Sequence, residues 1–380
     1  MIPYSTQDIN QSDIRAVLKS LKSGWLTQGP EVINFELAMA KKVGAKYATA
    51  FNSGTAALHA AYFAADIKID DEVIVPAITF AATANAALYL GAKPVFVDVD
   101  VSTGNIDIDS IKKKITSKTK AIVPVDYGGR PVDMDKIFEI AKQFNLIVIE
   151  DAAHSLGAKY KNKLVGRKAD MTMFSFHPVK SITTSEGGII VTNDIHFDKK
   201  LKLFRSHGIT KDEKSFIQKG HGSWYQEMQF LGFNYRMPEI CAALGQSQLK
   251  RLDSFISKRT DAVVNYHSLL KDIPNLILPL KDSKNEKSSW HLYPIRLAEG
   301  IVHKRDWFFN EMRNAKIGVQ VHYLPVYLHT FYQKLGYKKG LCPNAELFFA
   351  GEISIPLFPN ITKKQQRYVV ETIKKILSQI

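Results

Sequence analysis

Short apolar runs alternate with helical patterns through the first two-thirds of the chain, and this alternation constrains the fold more than any other feature. Apolar or β-branched runs fall at 47–51, 72–75, 93–97, 121–125, 146–150 and 188–192, with a further short one at 171–175. Apolar residues at helical spacing mark amphipathic segments at 7–21, 29–42, 55–65, 79–90 and 134–144. Such a pattern predicts an α/β fold, a mainly parallel sheet with helices on both faces, which binds ligands at the carboxyl ends of its strands. From 233 to 269 the pattern is helical and leads into a polar stretch at 281–287. Apolar runs follow at 290–297 and 319–322, with a helical stretch at 306–314 between them and an amphipathic helix from Thr362. The expected division is a large α/β unit over 1–250 and a smaller α+β unit over 251–380.

Composition removes several classes of function. With 380 residues, 45% of them hydrophobic, the chain can bury a large core, so whole-chain disorder is excluded. No apolar run approaches the ~20 residues that span a bilayer, and Met1 to Thr6 show neither a basic nor an apolar leader region, so neither membrane insertion nor export is expected. Cys241 and Cys342 are the only cysteines and have no metal-ligand spacing, which fits a reducing, cytoplasmic setting without disulfides or a bound metal. The formal charge of +14 would suit a polyanion, but the lysines are scattered through amphipathic stretches such as 111–115 and 363–364. They form no stripe interleaved with aromatics, so they read as a solvated face and no nucleic-acid partner is expected. A local basic site for a phosphorylated small molecule stays open.

Three segments carry chemistry. In Phe51-Asn52-Ser53-Gly54-Thr55-Ala56 a strand enters a small polar turn and then a helix, whose free N–H groups and dipole favour a phosphate. Simple capping by Ser53 or Thr55 would also account for it. In 146–155 a fully apolar strand ends in Glu150 and Asp151, and a carboxylate there would hold a heteroaromatic nitrogen protonated, or would only cap the next turn. Lys180 lies 29 residues after Asp151, between two apolar strands and among small hydroxyl residues, where a partly desolvated amine can form a Schiff base. A phosphate cradle, an acid for a pyridine nitrogen and a lysine for an aldehyde are together what pyridoxal phosphate requires.

With these segments in view, the chain resembles the DegT/StrS family of sugar-nucleotide aminotransferases, fold-type-I enzymes, over essentially its whole length. The matching stretches are 24–30, 52–58, 76–85, 150–157, 174–188, 204–208, 232–237 and 291–294. The resemblance implies that Lys180 carries the Schiff base and shuttles the proton, and that Asp151 holds the pyridine nitrogen protonated. It implies that Phe80 stacks on the ring and that His154 lies near the cofactor's phenolic oxygen or the substrate. Gly54 and Thr55 by N–H and Ser175 by hydroxyl match phosphate ligands, and Asn234 matches one donated by a neighbouring subunit, which implies a homodimer with shared sites. The N-terminal segment is then expected near the active site. His177 is expected to be packed or hydrogen-bonded and to carry no chemistry. Ser185 stands where the family most often has glycine, and strains the backbone if that position needs positive φ.

A related branch of the family replaces the lysine with His and dehydrates; Lys180 therefore points to transamination. Val125-Asp126-Tyr127-Gly128-Gly129, 203–209 and 321–327 resemble the branch of pseudaminic acid biosynthesis. That branch aminates the C4 ketone of a UDP-linked 2-acetamido-2,6-dideoxy-4-keto-hexose. L-Glutamate would donate, leaving as 2-oxoglutarate, with pyridoxamine phosphate as the intermediate cofactor form. Tyr4, Trp25, His322 and Tyr323 are candidates for sugar or nucleotide contacts, and Arg205, Arg236 or nearby lysines for the diphosphate. The alternatives are other NDP-keto-sugars (perosamine, viosamine, 4-amino-4-deoxyarabinose or 3-amino sugars) and a non-catalytic regulatory or binding protein on the same fold.

Overall fold

The computed structural model describes residues 1–218, 220 and 222–379. Seven strands form its main sheet: β1 Tyr47–Phe51, β2 Glu72–Pro76, β3 Lys93–Val97, β4 Thr119–Ile122, β5 Ile147–Asp151, β6 Met171–Ser175 and β7 Gly188–Thr192. From one edge the order is β1, β7, β6, β5, β4, β2, β3, and only β7 runs antiparallel to its neighbours. The expected mainly parallel α/β sheet is therefore present.

Burial on both faces explains why these strands read as continuous apolar runs. Alternate side chains of β2 go to opposite faces, as the two-residue period of a strand requires. Val73 and Val75 join the core beneath α3 (Gly54–Ala64) and α4 (Ala81–Tyr89), whereas Ile74 packs with Met134, Ile137 and Ile140 of α5 (Met134–Phe144). Alanine-rich α3 has little side-chain bulk to hold it off the sheet, and most of its residues are buried. The first helix, α1, spans Gln11–Leu21 and starts later than the apolar pattern suggests, because Asn10 caps Ser12 and Asp13 while Asp13 caps Asn10 in return.

Toward the C-terminus, β8 (Leu276–Ile277), β9 (Tyr293–Leu297) and β10 (Glu352–Ile355) form an antiparallel sheet with β9 central. The long helix Leu252–Leu270 links the two parts. Its Leu252 and Phe255 pack with Phe35 and Met39 near β1, while Ala262, Tyr266 and Leu270 pack under the smaller sheet. The apolar run at 319–322 forms no named strand and meets β10 only through a bridge between Gln320 and Ser354. Beyond it, Val326, Tyr327, Tyr332, Ala345 and Phe348 return to the core beneath α3 and α4. That return path carries residues 320–324 across the carboxyl ends of the large sheet. Among the described residues no helix is long and apolar enough to cross a membrane, and both cysteines are free.

Candidate active site

A cavity of about 670 Å³ opens where β1, β5 and β6 end. At its base Ser53 caps α3, its Oγ accepting from the Ala56 N–H at 3.1 Å. Gly54 and Thr55 occupy the first helical turn, where N–H groups have no intrahelical acceptor, so both remain available to an anion. Ser175, the last residue of β6, stands so close that a Cβ on Gly54 would lie 3.2 Å from its Oγ. Gly188 supports the turn from below: a Cβ there would meet Ser53 O at 2.6 Å and Gly54 Cα at 2.7 Å. The turn can lie on the sheet only because β7 begins with glycine.

Asp151, the last residue of β5, is 5% exposed. Its Oδ2 accepts from Thr83 Oγ1 at 2.7 Å and its Oδ1 from the Ala153 N–H at 3.1 Å. Thr83 in turn lies 2.7 Å from Thr79 Oγ1, which serves as donor to it once Thr83 has given its own hydrogen to Asp151. Burial raises the Asp151 carboxyl above its usual range, against the opposing effects of Thr83, the Ala153 N–H and Lys180. A carboxylate held this way gains from a cation or a protonated ring nitrogen beside it.

Lys180 sits half-buried in the loop between β6 and β7 and lines the same cavity. Desolvation lowers its amine to about 8, with the Asp151 charge working the other way. His154 is buried, and its Nδ1 accepts from the Gly128 N–H at 3.2 Å. The neutral ring therefore carries its hydrogen on Nε2, 3.1 Å from the Tyr323 hydroxyl. Burial first, then the charges of Lys180 and His322, push the His154 ring well below its ordinary value, so it stays neutral. His322 is lowered to about 3 by burial and by Lys180, and the Tyr4 ring lies 5.8 Å from it. Tyr4 is fixed where the N-terminal segment runs beside the smaller sheet, its carbonyl accepting from Leu357 N–H.

The cavity thus gathers Tyr4, Gly54, Thr55, Phe80, Asp151, His154, Ser175, Lys180, His322 and Tyr323. Phe80 is 62% exposed at its mouth, with its ring 6.1 Å from that of Tyr323. Trp25 and Asn234 are exposed and lie outside the cavity of the single chain. His177, expected to be packed or hydrogen-bonded, is instead exposed, its ring without a hydrogen bond among the described residues, and lines the opening. Arg205 is committed elsewhere: it pairs with Glu36 at 2.5 Å and donates to the Ala50 carbonyl at 2.7 Å, so a structural ion pair replaces the expected diphosphate contact. Ser185 has φ 71°, which meets the condition for strain, and Thr183 Oγ1 accepts its N–H. Thr83, Thr79, Gly188 and His291 at the site were not singled out from sequence. The donor set fits pyridoxal phosphate, with unpaired N–H groups for its phosphate, a buried carboxylate for its ring nitrogen and a desolvated amine for its aldehyde.

Comparison with known proteins agrees with this donor set. The profile of the DegT/DnrJ/EryC1/StrS aminotransferase family matches residues 7–374. This chain belongs to that family. A UDP-4-amino-4,6-dideoxy-N-acetyl-beta-L-altrosamine transaminase of Campylobacter jejuni (serotype O:23/36, strain 81-176) is 42% identical over 383 residues, covering 100% of this chain and 98% of the relative. The structure of Helicobacter pylori PseC, an aminotransferase of pseudaminic acid biosynthesis, superposes with a TM-score of 0.92 at 36% identity, covering all of both chains. A Streptococcus pneumoniae protein assigned as a sugar aminotransferase, in its PMP form, superposes at 0.93 with 33% identity and full coverage of both chains. As a DegT/DnrJ/EryC1/StrS member the protein is a sugar aminotransferase that works through pyridoxal phosphate, with the fold the family resemblance implied.

Proposed function

We propose that the protein moves the amino group of L-glutamate onto the C4 ketone of a UDP-linked 2-acetamido-2,6-dideoxy-4-keto-hexose, a cytoplasmic step toward pseudaminic acid. The observation that carries the reading is the convergence of Lys180, Asp151 and the Gly54–Thr55 turn on one cavity. The activities of the Campylobacter and Helicobacter relatives support the choice of sugar.

When bound, pyridoxal phosphate supplies an electron sink for the substrate carbon. Gly54 and Thr55 N–H and Ser175 Oγ hold the phosphate, and Asn234 completes that contact across the two-fold axis of a homodimer. Asp151 keeps a proton on the ring nitrogen, and Thr83 keeps Asp151 aimed there before reaction begins. Phe80 covers the ring. Lys180 Nζ would hold the aldehyde end of the cofactor, and its amine is the group placed to take and return the proton of the reacting carbon. An amine lowered to about 8 is suited to both tasks, since a substantial neutral fraction exists near physiological pH. His154, held neutral, presents no competing positive charge beside Lys180.

The test is a panel of UDP-, dTDP- and GDP-linked 4-keto and 3-keto sugars offered with L-glutamate, the amino-sugar products being identified by mass spectrometry. The account expects amination of the UDP-linked 2-acetamido-4-keto sugar in preference to the precursors of viosamine, perosamine or 4-amino-4-deoxyarabinose. Preference for any of those, or for a 3-keto sugar, would overturn the assigned substrate while leaving the aminotransferase class in place.

A further inference from the structure

The C-terminal sheet reaches the cavity through one hydrogen-bonded chain that the site residues above do not explain. Glu352 and Ser354, both on β10, are fully buried, and neither lines the cavity. Glu352 Oε2 accepts from the His322 backbone N–H at 2.6 Å, and its Oε1 accepts from Ser354 Oγ at 2.6 Å. Ser354 Oγ also lies 2.9 Å from His322 Nδ1. With Glu352 in its carboxylate form the serine's one hydrogen is given to it, and the serine oxygen receives the hydrogen of Nδ1. The neutral ring then carries no hydrogen on Nε2, which has no hydrogen-bond partner among the described residues although His322 lines the cavity. Tyr127 Oη donates to the His322 carbonyl at 2.5 Å, so main chain and ring are both held.

We propose that Glu352 and Ser354 are positioning residues that fix the plane and tautomer of His322, so that Nε2 presents a lone pair to a hydroxyl or amide N–H of the keto-sugar. The inference rests on the proposed sugar-nucleotide reading and assigns the part of the site that discriminates the sugar. A free imidazole rotates and exchanges tautomers, and would offer a donor as readily as an acceptor. The Glu352–Ser354 chain removes that freedom: the Tyr323 and Tyr4 rings pack against the imidazole at 4.8 and 5.8 Å, but only this chain fixes which nitrogen carries the hydrogen. An acceptor at Nε2 suits the hydroxyl and amide N–H groups of the sugar, which have hydrogens to give, and offers nothing to the ionised carboxylates of L-glutamate, which have none.

Two variants test this, with the two half-reactions measured separately on the cofactor-loaded enzyme. Ser354→Ala removes the link to Nδ1. Glu352→Gln keeps the shape but reverses the polarity, because its amide must donate to Ser354, which then donates to Nδ1 and leaves the hydrogen on Nε2. Burial pushes the Glu352 carboxyl up to about 8, so assays are run at about pH 9, where the carboxylate form prevails. The probe is the UDP-linked 2-acetamido-2,6-dideoxy-4-keto-hexose, offered to the pyridoxamine form. Both variants should raise its KM about tenfold, the loss of one hydrogen bond to substrate. The half-reaction with L-glutamate should stay within about twofold of the unaltered protein. An unchanged sugar KM in either variant, or an equal loss in the glutamate half-reaction, would overturn the proposal. Failure of the unaltered protein to aminate the probe would instead overturn the substrate reading on which it rests.

Discussion

The two walls of the cavity are built by different means. The cofactor wall is largely local: Ser53 caps Ala56, Ala153 donates to Asp151 two residues before it, and Gly54, Asp151 and Ser175 stand at or just past the ends of β1, β5 and β6. The opposite wall, residues 320–324, depends on distant partners. Tyr127 reaches the His322 carbonyl across 195 residues, and His154 reaches Tyr323 across 169. The difference separates chemistry from choice of substrate. A sheet edge imposes its geometry on whatever residues end its strands, whereas a wall assembled from remote segments can be altered without disturbing the reacting groups.

Substitutions on the cofactor wall should therefore act on chemistry and spare sugar selection. The largest effect expected is that of Lys180→Ala, which removes the amine and should lower turnover by at least about three orders of magnitude in both half-reactions, read by single-turnover kinetics. Asp151→Asn comes next: the cofactor still binds, but without the acid for the ring nitrogen the glutamate half-reaction should slow by roughly two to three orders of magnitude. Near-normal turnover in that variant would break the account of the cofactor wall. Gly188→Ala tests the support beneath the phosphate turn, since its Cβ would sit 2.6 Å from Ser53 O. Overpacking of that kind costs about 1–3 kcal/mol, so the Kd for pyridoxal phosphate should rise roughly tenfold to a hundredfold by titration. The smallest effect belongs to Ser185→Gly, which relieves the positive φ and should raise stability by about 0.5–1 kcal/mol in denaturant titration, with turnover unchanged.

The same contrast explains what could be read from sequence. The strands around Asp151 and Ser175 were legible because burial on both faces writes uninterrupted apolar runs, and the strand-to-helix turn at Gly54 has its own composition. Lys180 was legible by its sheltered setting between two such runs. Thr83 was not: it is an ordinary helical threonine until α4 lays it against Asp151. Arg205 looked free for a diphosphate because its partner Glu36 lies far off in sequence, and only the packing of α2 (Pro30–Val43) against β1 brings the two together. Glu352 and Ser354 gave no signal at all, since two polar residues in a short strand acquire meaning only from the loop that crosses them. His177 was read as packed or hydrogen-bonded because histidines are often satisfied inside proteins, yet the loop leaves it exposed at the opening.

The central claim is that Lys180 and Asp151 form a working aminotransferase centre, and the near-visible absorption spectrum tests it most directly. The purified protein, loaded with pyridoxal phosphate, should show the band of the lysine-bound cofactor; L-glutamate should bleach it as the amine form accumulates, and Lys180→Ala should not form that band. A loaded protein whose spectrum did not change with L-glutamate or any other amino donor would contradict the account.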